Sequence, residues 1–123
     1  MKRHKFHAKP QKTDDGFFAS IGEYRRWCEL KMLQQAGSIR NLERQVSIPL
    51  TTCDPGGSRV PIVVGRREAR YVADFAYTEA DGRRVYEDFK GAEMPIGKLK
   101  RAIVLASLGI DVKISRSKRR RTR

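Results

Sequence analysis

Hydrophobic and polar residues recur along the first half of the chain with two different periods. Across residues 20–37 the apolar positions are spaced as on one side of a helix. Ser20 and Glu23 form a capping-box pattern at its start, and Gly37 suits its end. Residues 39–50 alternate instead, which is typical of a strand. This half therefore predicts one helix followed by one strand.

The second half of the chain is patterned as short strands, a hairpin and a second helix. Apolar side chains in residues 95–108 recur at helical spacing, and Gly109 suits a helix end. Strands are predicted for residues 60–64, 71–78, 84–90 and 110–114. Together these elements predict an α/β domain with a mixed central sheet of about four to five strands flanked by helices.

Both ends of the chain lack such periodicity and are rich in positive charge. Residues 1–16 predict a flexible basic arm, and residues 115–123 predict a disordered basic tail. Residues 17–114 remain as one small folded domain. The tail carries four consecutive cations: Lys118, Arg119, Arg120 and Arg121.

The net charge predicts a polyanionic partner. The 123 residues contain 27 Lys and Arg against 14 Asp and Glu, a formal net charge of +13. This balance favours nucleic acid first and an anionic membrane surface second. Insertion into a membrane is not expected, because the longest apolar stretch, residues 102–110, is far shorter than the roughly twenty residues that a spanning helix needs. Residues 1–12 lack the apolar core of a signal peptide.

Cysteine, histidine and glycine patterns argue against several other classes. Cys28 and Cys53 match neither a metal-ligand spacing nor a disulfide framework, which favours a reduced, cytoplasmic protein. His4 and His7 have no acid or cysteine beside them, so we expect no zinc site. No Gly-Lys-Ser or Gly-Lys-Thr sequence of a phosphate-binding loop is present, so we expect no nucleotide cofactor.

The predicted hairpin brings three charged side chains together. A three-residue loop at 80–82 sets Asp74 directly opposite Asp88. Lys90 shares the face of Asp88, because residues two apart on a strand project to the same side. Two carboxylates whose Cβ atoms are roughly 5 Å apart repel each other, so a cation is expected between them. Mg²⁺ or Mn²⁺ is the simplest candidate, since hard ions prefer oxygen ligands.

Two alternatives to this interpretation stay open from the residues alone. A two-residue turn of Asp81 and Gly82 shifts the register by one and places Asp74 on the face of Glu87, which makes Glu87 a supporting candidate. The other alternative is an ordinary hairpin whose charges face solvent. Apolar residues within both arms favour partial burial, and buried acids without partners are costly.

The hairpin resembles the signature of the PD-(D/E)XK nuclease superfamily. Tyr71-Val72-Ala73-Asp74-Phe75 carries the first acid, and Glu87-Asp88-Phe89-Lys90-Gly91 carries the second acid and the lysine. Ala73 departs from the pattern, in which proline often precedes the first acid. The whole of residues 17–114 further resembles a small phage-encoded family of that superfamily, similar in layout to phage junction-resolving endonucleases. Its recognisable pieces are Ser20-Ile21-Gly22-Glu23-Tyr24, Leu42-Glu43-Arg44-Gln45, Lys98-Leu99-Lys100 and Gly109-Ile110.

This resemblance implies a metal-dependent site with a conventional division of roles. Asp74, Asp88 and the Phe89 carbonyl would hold the catalytic metal, and Glu23 would complete the site or hold a second ion. Lys90 would orient or deprotonate the attacking water and stabilise charge on the phosphorane. A homodimer follows only by analogy with the junction-cutting relatives.

Two further site residues have structural explanations of equal weight. A glutamate three residues after a capping serine is often present solely to satisfy the free N–H groups at the helix start, and Glu23 is in that position. Gln45 would lie near the site by resemblance, but a polar residue on a half-exposed strand needs no function. Both explanations stay open at this point.

Basic residues outside the hairpin are expected to contact the nucleic-acid backbone. Such contacts supply affinity that falls steeply with salt and carries little sequence selectivity. A solvated helix face is the alternative for those in the second helix. The candidates are Lys98, Lys100, Arg101, Lys118, Arg119, Arg120 and Arg121.

The sequence therefore leaves two functions in competition. The first is a divalent-metal-dependent endonuclease that hydrolyses DNA, including branched phage DNA, in the host cytoplasm. The second is a non-catalytic nucleic-acid-binding protein on the same fold, such as a packaging accessory or a ribosome-associated protein.

Overall fold

The computed structural model describes residues 9–91 and 94–116 of the chain. Its two helices are α1 (Ile21–Gln35) and α2 (Pro95–Leu108). In chain order the strands are β1 (Gln11–Thr13), β2 (Gly16–Phe18), β3 (Ile39–Pro49), β4 (Thr51–Cys53), β5 (Arg59–Pro61), β6 (Val63–Val64), β7 (Arg67–Glu68), β8 (Arg70–Glu79), β9 (Arg84–Phe89) and β10 (Lys113–Ser115).

A mixed four-stranded sheet forms the centre of the fold, in the order β10, β9, β8, β3. β10 runs parallel to β9, whereas β9 and β8, and β8 and β3, are antiparallel. The predicted class is therefore confirmed as a small α/β domain. The pairs β1–β2, β4–β5 and β6–β7 form separate two-stranded hairpins. Residues 60–64, predicted as one strand, lie in two of these hairpins.

The first helix begins and ends where the sequence predicts. Ser20 Oγ accepts a hydrogen bond from the backbone N–H of Glu23 at 3.1 Å, which satisfies one of the free N–H groups at the helix start. The helix ends before Gly37. Its inner side packs into a buried cluster, here called the α1 cluster: Phe18, Leu30, Ile39, Phe75 and Tyr77.

The second helix packs into another buried cluster on the opposite face of the sheet. On β9, Val85 packs against the α1 cluster, and the next residue, Tyr86, packs against this second cluster. Because neighbouring residues of a strand project to opposite faces, the two helices cover opposite faces. This α2 cluster consists of Ile48, Leu50, Tyr71, Ala73, Val104 and Val112.

The alternation of β8 breaks at Asp74. Tyr71 and Ala73 belong to the α2 cluster, whereas Phe75 and Tyr77 belong to the α1 cluster. In a regular strand all four side chains would project to one face, since they are two residues apart. β8 therefore turns over at Asp74, in the middle of the predicted site.

The predicted flexible arm is wrong for residues 11–16, which form the β1–β2 hairpin with residues 17 and 18. Arg44 of β3 holds this hairpin, because its Nη2 donates to the Phe17 carbonyl at 2.6 Å and its guanidinium lies 3.6 Å from the centroid of the Phe18 ring. Trp27 Nε1 donates to the Asp15 carboxylate at 3.1 Å. These are long-range contacts that no local period reveals.

The carboxyl-terminal boundary also differs slightly from the prediction. β10 runs from Lys113 to Ser115, so it starts later than the predicted strand and takes in one residue of the predicted tail. The Lys90 N–H donates to the Ser115 carbonyl at 2.9 Å and extends the contact between β9 and β10. Residues 1–8 and 117–123, with His4, His7 and most of the predicted tail, lie outside the described residues.

No helix within residues 9–91 and 94–116 combines the length and the apolar character needed to cross a membrane. Cys28 and Cys53 are free thiols.

Candidate functional site

The hairpin has the register that the three-residue loop predicts. Glu79 N–H donates to the Arg83 carbonyl at 2.8 Å, and Phe75 pairs with Glu87. Gly82 has a φ of +89°, which glycine adopts without strain. Asp74 is thus the residue opposite Asp88, and the alternative of a two-residue turn is wrong.

The two acids bind each other's strands through their carboxylates. Asp74 N–H donates to Asp88 Oδ1 at 2.7 Å, and Phe89 N–H donates to Asp74 Oδ2 at 2.9 Å. Regular backbone pairing between β8 and β9 ends at Phe75 and Glu87. At the next residue pair these two side-chain hydrogen bonds take the place of the backbone hydrogen bonds of a regular sheet. The strands therefore separate at the acids and leave room for both carboxylates.

One carboxylate oxygen of this pair is buried without a hydrogen-bond partner. Asp88 is 1 % exposed, and its Oδ2 accepts no hydrogen bond from any residue in the ranges that the structure covers. Lys90 Nζ is 3.6 Å from this oxygen, as the shared strand face predicts. A buried oxygen of this kind is costly unless a cation or a donor satisfies it.

Burial controls the proton affinity of both acids. It raises the pKa of Asp74 above its ordinary value, and the Phe89 N–H, Lys90 and Gln45 offset part of that rise. Burial likewise raises the pKa of Asp88, and the Asp74 N–H and Lys90 offset part of it. Both groups are therefore poised to gain from an added positive charge.

Glu23 reaches the same site from the first turn of α1. It is 5 % exposed, and burial followed by repulsion from Asp74 raises its pKa to about 7. Its backbone N–H is capped by Ser20, but its side chain makes no hydrogen bond back to Ser20 in the described part of the chain. The side chain therefore does not complete a capping box, and it lies close enough to Asp74 and Asp88 for their charges to raise its pKa.

Gly22 explains how α1 approaches so closely, and the sequence interpretation assigned it no role. A Cβ atom at this position would lie 2.5 Å from Cζ of Phe89, so any larger residue would force the ring or the helix to move. One feature of the sequence could have indicated this close approach. Gly22 lies inside the first turn of a helix, where glycine lowers helix stability unless a close contact requires it.

Gln45 lies beside the pair in a strained conformation. Its neighbours Arg44 and Val46 pair with Phe75 and Ala73, so Gln45 faces Asp74 across β3 and β8. A hydrogen bond from its side chain lowers the pKa of Asp74. Its φ of +52° is left-handed, which for a non-glycine residue costs about 1–3 kcal/mol and is often found at functional sites. The position agrees with the prediction for Gln45.

The basic residues of α2 occupy three different environments. Arg101 is close enough to Asp88 to lower the pKa of that acid by its charge. Lys100 Nζ donates to the Arg70 carbonyl at 3.1 Å and so braces α2 against β8. Lys98 is exposed. The four predicted contacts in the tail, residues 118–121, lie outside the described residues.

Glu87 belongs to a separate structural network, so its predicted supporting role at the acid pair is wrong. It is fully buried on the α1 face, where Arg26 Nε and Nη2 donate to its two oxygens at 2.6 and 3.0 Å. Tyr77 and Ser115 hydroxyls also donate to it, at 2.7 and 2.8 Å. Burial alone would raise the pKa of Glu87, but these bonds outweigh it and hold the pKa below its ordinary value.

The residues present offer a limited set of metal ligands. Within residues 9–91 and 94–116, no three His, Cys, Asp or Glu side chains form a group that could hold a metal ion. Asp74 and Asp88 each commit one oxygen to a backbone N–H, and Asp74 also accepts a hydrogen bond from the Gln45 side chain, so Asp88 Oδ2 is the oxygen of the pair without a hydrogen-bond partner in the described chain. Two carboxylates are nevertheless enough for Mg²⁺, which keeps several waters and often completes its shell with substrate phosphate. The orphaned Asp88 oxygen fits this role.

Comparison with known proteins gives a family without an assigned activity. A family model described as a protein of unknown function, DUF1064, matches residues 3–119. A search of curated proteins found no match, and a search of solved structures found none either. Because the family model spans nearly the whole chain, the protein belongs to the DUF1064 family.

Proposed function

We propose that this protein is a divalent-metal-dependent nuclease that hydrolyses DNA phosphodiester bonds. The observation that carries the proposal is the buried Asp88 Oδ2, which lacks a hydrogen-bond partner in the described chain and lies beside Asp74 with Lys90 Nζ at 3.6 Å. The buried acid Glu87 has donors on both of its oxygens, so a buried acid with an oxygen that lacks one, in a charged cluster, favours a functional role.

Asp74 and Asp88 would hold Mg²⁺ or Mn²⁺ through their remaining oxygens, with the Phe89 carbonyl as a third donor by resemblance to the PD-(D/E)XK pattern. Such an ion lowers the pKa of bound water and neutralises charge on the phosphoryl oxygens. Glu23 is the candidate for a second ion or for a water-mediated contact. The net charge of +13 favours a polyanionic substrate.

Hydrolysis requires a new bond from a water oxygen to phosphorus, loss of the bond to one sugar oxygen, and transfer of one proton from the water. Lys90 can hold the water or a phosphate oxygen, because its Nζ is next to the unsatisfied carboxylate oxygen. Glu23 can accept the water's proton, since its pKa of about 7 lies near the working pH. The leaving oxygen then takes a proton from solvent.

Arg101 contributes a positive charge on the α2 side of the acids. A phosphate that approaches Asp88 meets two carboxylates and Lys90, so this second positive charge further offsets the repulsion between substrate and site. Lys98, on the same helix, is free to contact a more distant phosphate because it is exposed.

Cleavage and metal binding together test the proposal. We expect Asp74→Asn and Asp88→Asn to lower the cleavage rate of plasmid, single-stranded and junction DNA at least about 100-fold in Mg²⁺ or Mn²⁺ while DNA binding persists. Asp111→Asn, which removes an exposed carboxylate, is the matched control and should cut normally. EDTA should stop the wild type.

Calorimetric titration with Mn²⁺ provides a readout that does not depend on finding the substrate. The wild type and Asp111→Asn should bind the ion, and Asp88→Asn should not. Equal Mn²⁺ binding by Asp88→Asn, or cleavage by that variant at the wild-type rate, would refute the proposal.

The second candidate function is a non-catalytic nucleic-acid-binding protein. It is favoured by one observation, namely that no three potential ligands form a metal-binding group within the described ranges. It predicts tight DNA binding with no Mn²⁺ binding and no cleavage of any of the three substrates.

A further inference from the structure

The β6–β7 hairpin presents apolar and basic side chains together to solvent. Val63 and Val64 are 54 % and 71 % exposed, and Val64 is the most exposed large apolar side chain among residues 9–91 and 94–116. Arg66 and Arg67 follow after Gly65, are exposed, and make neither an ion pair nor a side-chain hydrogen bond within the structure described. Isolated exposed valines are ordinary, but two beside two unpaired arginines are not.

The base of this hairpin is fixed, so its tip is held in one place. Ala69 N–H donates to the Ile62 carbonyl at 2.8 Å, and Ile62 N–H donates to the Leu50 carbonyl at 2.9 Å. Ile62 and Ala69 also pack against the α2 cluster. Only the tip, with Gly65 in the turn, projects away from these contacts. An exposed tip on a base held in this way is suited to binding rather than to stabilising the core.

The tip is also physically joined to the candidate site. Arg67 lies seven residues before Asp74, and β8 begins at Arg70. At about 3.3 Å per residue the two positions are at most about 23 Å apart. Stacked base pairs rise about 3.4 Å each, so about seven base pairs of a duplex span this distance.

We propose that the β6–β7 tip, residues 63–67, grips the double-stranded flank of the nucleic-acid substrate, an inference that rests on the nucleic-acid binding in the proposed function. Arg66 and Arg67 contact phosphates or enter the minor groove, and the two valines pack against sugars and base edges there. Arginines and apolar wedges are the side chains that proteins place in minor grooves.

The composition of the tip favours a duplex over a single strand. Residues 62–69 contain no aromatic side chain. Proteins that bind single strands use aromatic rings as stacking platforms for the bases, and the tip offers none. Charge complementarity with phosphate is direct, since the two arginines have no competing acidic partner in the described structure.

The test measures binding of wild type and variants to a 24-base-pair duplex, and to one of its strands, over a range of salt concentrations in EDTA. Arg66→Ala with Arg67→Ala should reduce the slope of log affinity against log salt by about 1.8, since each phosphate contact contributes about 0.9. Arg40→Ala with Arg83→Ala lowers the net charge equally at other exposed positions and should leave the slope unchanged.

A second pair of substitutions isolates the valines. Val63→Thr with Val64→Thr keeps the β-branched shape and should weaken duplex binding at least about threefold with no change of slope. Neither tip variant should alter binding of the single strand. Arg66→Gln with Arg67→Gln repeats the charge test, and circular dichroism of each variant establishes that it is folded.

The possible outcomes separate this inference from the nuclease proposal. Equal slopes for the tip and control variants, or equal losses on single-stranded DNA, overturn the tip proposal whether or not the protein cleaves. A wild type that binds duplex with the expected salt dependence but neither binds Mn²⁺ nor cleaves DNA supports the tip proposal and refutes the nuclease proposal. Failure of the wild type to bind duplex overturns the tip proposal and leaves the nuclease proposal to be decided by Mn²⁺ binding and by cleavage of the single-stranded and junction substrates.

Discussion

Glu87 and Asp88 are neighbours on β9 and are both buried, yet their environments are opposite. Glu87 faces α1 and accepts hydrogen bonds from Arg26, Tyr77 and Ser115, so its pKa falls below its ordinary value. Asp88 faces the other side, has one oxygen without a partner in the described chain, and has a raised pKa. Burial alone therefore does not distinguish a structural acid from a functional one.

The difference comes from the number of donors that each face supplies. On the α1 face three side chains converge on one carboxylate, which satisfies it completely. On the other face the strands separate at Asp74, and each acid receives a single backbone N–H. The Asp88 oxygen that lacks a hydrogen-bond partner in the described chain is then available to a ligand.

The largest expected effect is on the structural acid. Glu87→Gln removes the charge that compensates Arg26 inside the fold and should lower the free energy of unfolding by about 3–5 kcal/mol. Urea denaturation followed by circular dichroism measures this change. The matched control is Asp88→Asn, the same acid-to-amide change one residue away, which should alter stability by less than about 1 kcal/mol because it removes a poorly satisfied buried charge. Equal losses for the two variants would mean that the two acids play the same role.

The next effect is a pH dependence that arises from Glu23. Its folded pKa of about 7 lies above the ordinary 4.5, so the folded state binds this proton more tightly than the unfolded state. The stability that results is fully present below about pH 4.5 and is lost as the pH rises through about 7. The wild type should therefore lose up to about 3 kcal/mol relative to Glu23→Gln between pH 4.5 and pH 8, since each pKa unit corresponds to about 1.4 kcal/mol. Urea denaturation of both proteins in EDTA across this pH range measures the difference in unfolding free energy. Parallel profiles of unfolding free energy against pH would contradict the prediction.

The smallest effect concerns the approach of α1 to the site. Gly22→Ala should lower stability by about 1 kcal/mol, because its methyl group would collide with the Phe89 ring, which can shift in part. Gly97→Ala is the matched control in α2, where the nearest atom is 4.0 Å away, and it should stabilise by about 0.5–1 kcal/mol. Thermal denaturation measures both. A stabilising Gly22→Ala would show that the close contact is not required.

Local patterns were enough to predict the helices and the acidic hairpin. The capping serine, the helical spacing of apolar residues and the loop around Gly82 each act within a few residues, and the structure agrees with each. Loop length sets the register of a hairpin, and both a three-residue and a two-residue turn fitted the sequence, so the facing of Asp74 and Asp88 was one of two alternatives until the structure decided it.

Other features depend on residues that are distant in sequence. The partners of Glu87 come from α1, β8 and β10, so no local pattern could distinguish it from Asp88 as a candidate. The β1–β2 hairpin was missed for the same reason, since Arg44 and Trp27 hold it from 27 and 12 residues away.

The sequence by itself determined the two helices and the acidic hairpin and left two registers for its acids, because hydrogen-bonding turns and side-chain periods are short-range properties. Only the tertiary structure decided which of these acids is left unsatisfied. That outcome depends on how many donors converge from separate elements, on the reversal of β8 at Asp74, and on a glycine that lets α1 come close enough to bring Glu23 beside the pair.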